Sequence, residues 1–170
     1  MNKLIVVFSL FVFLNSCGAQ NQYRKCLKVN IDVIGKINPS FVNEKEGEFY
    51  SVKISLVNKT DSTLRFWVMS CSWQDNWVFN SNDIIFYRDN CLKNIMKVKE
   101  LAPNGILTYT GVLAVRTNQI SKRLKNLRLG FIFVRENEFS YLSKMDYHKI
   151  LLEQKDENRD VFWSEKPIFF

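Results

Sequence analysis

The residues best suited to chemistry are few and scattered. Four cysteines, Cys17, Cys26, Cys71 and Cys91, and a single histidine, His148, are the nucleophilic and soft-ligand side chains in a chain of 170 residues. A structural zinc site takes four Cys or His ligands in closely spaced pairs, and no such pair occurs. A catalytic cysteine needs an imidazole oriented beside it, and no local pattern brings His148 to any of the four. The Gly-x-Ser-x-Gly elbow, the His-Glu-x-x-His helix and a Gly-rich phosphate loop are all missing from the sequence. The expectation is a protein with no catalytic residues, no cofactor and no bound metal. Asp75, Asn76, Asn80, Asn82 and Asp83 do offer oxygen ligands of the kind calcium uses. Their spacing departs from the calcium loop, and Asn and Asp are ordinary turn residues.

Binding is the better reading of two clusters. Phe66, Trp67, Trp73 and Trp77 fall within 12 residues. Large aromatics plug the cores and ends of β folds, and they also stack on sugar rings or on a partner's apolar groups. Trp73 and Trp77 sit in the polar context Ser72-Trp73-Gln74-Asp75-Asn76-Trp77, so a surface loop from Trp73 to Asn82 is expected. Trp73, Asp75, Asn76 and Trp77 are its candidate binding residues, able to stack on a ligand and bond its rim. The second cluster, Arg116, Lys122, Arg123, Lys125 and Arg128, suits either a solvated loop or contact with anionic headgroups.

The start of the chain decides where this chemistry operates. Lys3 precedes an 11-residue run, Leu4 to Leu14, interrupted only by Ser9. As a helix it reaches about 16 Å, against roughly 30 Å of membrane hydrocarbon, so residues 1–16 read as a removable signal peptide. Leu14-Asn15-Ser16-Cys17 resembles the bacterial lipobox, and that resemblance implies a lipid-modified Cys17 as the first mature residue. By the same resemblance, Gly18 in the next position implies delivery to the outer membrane. Two or three acyl chains hold a domain stably at a membrane surface. The charge of +7 falls to +6 without the leader, and export makes nucleic acid a poor partner for it. Export also permits disulfides. Cys71 ends one apolar run and Cys91 follows the next, so their pairing is expected, with Cys26 left over or bridging between chains.

These residues must be positioned by strands. Val52, Ile54 and Leu56 alternate with Ser51, Lys53 and Ser55, and further alternating runs cover Leu64 to Met69, Leu107 to Val115 and Leu127 to Val134. Shorter runs lie at 84–87 and 95–98, and apolar segments at 27–34, 161–163 and 168–170 complete about eight or nine strands. Asn58 to Asp61 and Pro103-Asn104-Gly105 supply turns. Phe139 to Gln154 lacks Pro and Gly and places Leu142, Met145 and Ile150 at helical spacing, so one helix of about three turns is expected. Residues 17–25 read as a tether, and residues 26–170 as one all-β domain, a sandwich of about seven to nine strands with a short helix near its C-terminal end.

Two of these segments also carry a resemblance. Val52 to Asp61, a strand ending in Asn and a polar turn, and Leu101-Ala102-Pro103-Asn104-Gly105 with Tyr109-Thr110-Gly111 resemble the immunoglobulin-like domain of the BsuPI-type proteinase inhibitor family and related bacterial lipoproteins. The resemblance covers roughly residues 51–134 and implies an immunoglobulin-like sandwich. It carries no catalytic residues. The functional expectation is a lipid-anchored, non-catalytic binding or accessory module of the cell envelope, facing an envelope protein or glycan. A proteinase inhibitor and a small hydrolase with a spatially assembled site are the alternatives.

Overall fold

The computed structural model describes residues 26–38, 47–88, 91, 93–116, 126–136 and 143–170. The signal peptide, Cys17 and the rest of the tether, and Lys122, Arg123 and Lys125 lie outside them.

Among the described residues nine strands, paired antiparallel in three sheets, form two facing layers. The first is a sheet of β1 (Leu27–Ile37), β2 (Glu48–Asn58), β7 (Ile106–Val115) and β5 (Ile84–Phe86), in that order across the sheet. The second contains β3 (Leu64–Met69) paired with β6 (Met96–Leu101), and β4 (Trp77–Phe79) paired with β8 (Leu129–Ile132), which pairs on its other side with β9 (Val161–Trp163). A bridge between Phe66 and Arg135, with Trp67 N donating to Val134 O at 2.8 Å, joins β3 to the chain just beyond β8. Strands β3 and β4 thus lie end to end along one side of β8. The first sheet follows the A-B-E-D order and the second the C-F-G order of an immunoglobulin-like sandwich. The departure is local: β5 of the first sheet is inserted between β4 and β6 of the second.

Period-2 patterning explains the core. Val52, Ile54 and Leu56 from β2 and Leu129 and Phe131 from β8 are fully enclosed between the layers. The second sheet is apolar on its outer face too. Trp67, Met69, Val78, Ile132 and Val134 pack there beneath helix α1 (Lys144–Asp156), through Tyr147 and Leu151. This third layer accounts for the two apolar faces of the 64–69 and 127–134 runs. The helix begins at Ser143, whose hydroxyl accepts from Asp146 N at 3.1 Å. That is later than the expected Phe139, and residues 137–142 lie outside the described ones. Residues 168–170, expected as a strand, are not one, although Ile168 is buried and its N donates to Leu127 O at 2.8 Å.

The two resemblance motifs meet at one corner. Asn58 is fully buried at the end of β2, and its Nδ2 lies 2.9 Å from Leu101 O, 3.0 Å from Ala102 O and 2.7 Å from Ser62 O. Its Oδ1 accepts from Thr60 N at 2.9 Å, and its own N donates to Gly105 O at 3.1 Å. The Asn-containing turn and the Leu-x-Pro-x-Gly turn are held together by one side chain with every polar atom partnered.

Candidate ligand cleft

Cys71 and Cys91 are joined as expected, with their Cα atoms 6.0 Å apart, and both are exposed. Cys26, whose fate the sequence left open, is buried at the head of β1 and carries no free thiol. Asn94 shapes the approach to the disulfide, its Oδ1 accepting from Cys71 N at 3.1 Å and Ser72 N at 3.3 Å while its Nδ2 donates to Ser72 Oγ at 2.6 Å.

The expected surface loop from Trp73 to Asn82 is instead built into the sandwich. Residues 73–76 form a single 3-10 turn, and Trp77-Val78-Phe79 is strand β4, a buried strand in a stretch expected to be loop. Trp77 is only 7% exposed and packs edge-on against Phe131, centroids 4.9 Å apart. Trp73 is half-buried and stacks on Tyr109 at 4.6 Å with 18° between the planes. It covers Gly111, where an added Cβ would lie 3.1 Å from the indole, so the missing side chain permits the close approach. Burial pushes the Tyr109 hydroxyl up to about 12. Neither indole stands out as a free platform.

The polar candidates are engaged as well. Asp75 takes Ser72 Oγ at 2.5 Å and Arg88 Nη2 at 2.8 Å, and its side chain is 6% exposed. Asn76 is fully buried where β3 leaves β8 and before β4 returns to it. Its Nδ2 donates to Trp67 O at 3.2 Å and Ile132 O at 3.1 Å, and its Oδ1 accepts from the Tyr147 hydroxyl. One side-chain amide thereby splices the gap between β3 and β4. Asn80 is a clamp: its Nδ2 donates to Asn126 O at 3.0 Å and its Oδ1 accepts from Arg128 N at 2.7 Å. Asp83 O accepts from Arg116 N at 2.8 Å. Asp75, Asn76, Asn80 and Asp83 are thus spent on an ion pair, turns and backbone, while Asn82 is exposed. Among the described residues no group of three or more His, Cys, Asp or Glu is placed to hold a metal.

What this folding leaves open is a cleft of about 670 Å³ between β4 and β5, the edge strands of the two sheets on that side. Val78, Phe79, Ile85, Phe86, Ala114 and Ile132 give it apolar walls. Gln74, Ser81, Asn82 and Tyr87 with the cations Arg88, Arg116 and Lys155 supply its polar lining, and among the described residues no Asp or Glu belongs to it. The residues from Gln74 to Arg88 that line it all fall between Cys71 and Cys91. Trp77 also belongs to the lining, whereas His148 sits half-buried on α1 and does not. The spacing of Gln74, Arg88, Arg116 and Lys155 gave no warning of their convergence. Of the four, Arg116 belongs to a pattern visible in the sequence, as the first member of the basic cluster. The two ends of that cluster, Arg116 and Arg128, are both tied to the 80–83 crossover connecting β4 with β5.

No family model and no curated protein matches the chain. A FixG-related protein from Vibrio parahaemolyticus is similar among solved structures, at 12% identity over 67% of this chain and 87% of that one, with a TM-score of 0.32.

Proposed function

We propose that this protein is a non-catalytic binding module of the bacterial envelope, held to the membrane by lipid on Cys17, with the cleft between β4 and β5 as its binding site. The cleft is the observation that carries the reading. Its volume falls in the range of ordinary ligand sites, and it combines apolar walls with a few polar groups at one end of a packed sandwich. The leader and the Leu14-to-Cys17 motif support the anchor. The Trp73 to Asn82 segment keeps a part in binding, as the wall of the site instead of the contact surface itself.

Two measurements in cells test the reading. A photo-crosslinking residue at Ile85, on the cleft wall, should form a discrete adduct that one at Ile106, exposed at the other end of β7, does not. Adducts from both positions or from neither overturn the cleft as the site. A fatty-acid analogue should label the wild type and not Cys17→Ser, and equal labelling ends the anchor.

A further inference from the structure

We infer that the cleft takes an amphiphilic anion, one carboxylate or phosphate head on a short apolar chain; this inference rests on the cleft being the binding site. Its lining is divided by chemistry. Three cations, Arg88, Arg116 and Lys155, reach it from three parts of the chain: the exit of β5, the end of β7 and the last turn of α1. Among the described carboxylates Asp75 bonds one of them, Arg88, at 2.8 Å, and its side chain is almost wholly enclosed. Arg116 and Lys155 have no carboxylate partner among the described residues. Basic side chains spread over a solvated face are normally interspersed with acids. Here they gather around one opening whose described lining has none.

The placement of these cations is set by the fold. Arg116 N is pinned to Asp83 O at 2.8 Å, so its backbone is fixed relative to the crossover at the foot of the cleft. Lys155 sits on a helix held against the second sheet by Tyr147 and Leu151. Arg88 is oriented by its bond to Asp75. Three fixed points of origin reduce the ordering cost of closing on an anion.

The apolar walls set the other half of the specificity. Ile85 and Phe86 from one edge strand and Val78 and Phe79 from the other can cover a chain along its length, while charge-assisted hydrogen bonds hold the head. A free anion would use only the cations, and an uncharged chain only the walls. The volume suits one short chain, not a bilayer surface.

The test is calorimetric titration of the purified protein with octyl phosphate, octanoate, octanol and inorganic phosphate, all below micelle-forming concentrations. Octyl phosphate and octanoate should bind saturably at one site. Octanol and inorganic phosphate should each bind at least about tenfold more weakly. Arg116→Gln and Lys155→Gln, both at exposed positions, should each weaken octyl phosphate by about tenfold with an unchanged melting temperature. Salt should weaken the wild type more than the double variant. Equal binding of octanol, or full affinity in the double variant, overturns the proposal. So does binding to phosphatidylglycerol vesicles that needs both cations while octyl phosphate fails to saturate, because the cations would then belong to a surface contact. If octyl phosphate and octanoate fail while the Ile85 crosslink persists, the ligand class is wrong and the cleft reading survives. Loss of the crosslink removes both.

Discussion

Replacing Asn76 with alanine examines how a sheet tolerates a break in one of its strands. Three buried polar groups depend on this amide: Trp67 O at 3.2 Å, Ile132 O at 3.1 Å and the Tyr147 hydroxyl. The hydroxyl has a second acceptor in Trp67 O, 3.4 Å away, so those two can satisfy one another in the variant. Ile132 O cannot, and it remains enclosed beneath the helix. A buried group stranded in this way costs about 1–3 kcal/mol, and the lost bonds and small void bring the expected total to about 3 kcal/mol. At about 2–4 °C per kcal/mol for a domain of this size, the melting temperature should fall by roughly 9 °C. Tyr147→Phe removes one donor and leaves the two amide bonds intact, so about 1–2 kcal/mol is expected. The double variant should fall short of the summed losses by about 1 kcal/mol, since both singles remove the same bond. Asn76→Asp keeps the shape but turns an acceptor toward two carbonyls, and should lose at least as much as alanine. Burial holds the Tyr147 hydroxyl far above the usual phenol range, so it remains a donor and the coupling should not vary between about pH 5 and 9. Thermal and urea unfolding of the wild type and the four variants decides the matter. A fall under about 2 °C for Asn76→Ala, or strict additivity, would refute the splice.

Other consequences follow from burial and linkage. Trp77→Ala should cost about 3–5 kcal/mol because the ring is enclosed, and Trp73→Ala about half of that because the ring is half-covered and stacked; equal, negligible losses would return both indoles to the surface. Reducing the exposed Cys71–Cys91 bridge, which closes a 20-residue separation, should lower stability by about 3 kcal/mol in the chain-entropy model, and a reduced protein as stable as the oxidised one contradicts this. Tyr50 and Tyr109 are both raised to about 12, by burial first in each case and for Tyr50 also by its bond to Glu48. The neutral phenols are favoured in the fold, so this stability is complete below the unfolded value near 10 and is lost as pH rises from there to about 12. Absorbance titration should show both phenols ionising late and together with alkaline unfolding, and normal titration of both at pH 10 in the folded protein counts against it.

Alternation was the dependable signal in the sequence. It located β2, β3, β7 and β8 because each has one face in the closed core, and in β3 and β8 even the second apolar face had meaning, as the floor of α1. The disulfide was legible for a similar reason: apolar runs bracketed it, and apolar runs become strands that return. β4 was missed because three residues are too few to show a period, and they follow four residues of polar or mixed type. The cleft was missed because its cations belong to distant segments that share no spacing.

The two buried asparagines show why polar composition misleads about exposure. Asn58 ends a long alternating strand, so its place could be read, and its five side-chain partners lie in or beside turns that the sequence also marks. Asn76 has the same chemistry in a stretch with no such frame. Its value comes from carbonyls at positions 67 and 132, which are near one another only after β3 and β4 have aligned on β8. A strand that must leave its sheet and return creates a local demand for donors, and a short amide side chain meets that demand within the layer. The polar residues between Ser70 and Asn76 are therefore what a strand interruption requires, not what a surface loop displays. Their burial also makes the cleft possible: by returning the chain as β4 opposite β5, the splice places two sheet edges on either side of one opening. Weakening the Asn76 amide should thus loosen the wall that carries Gln74, Trp77 and Phe79 before it disturbs the distant corner around Asn58.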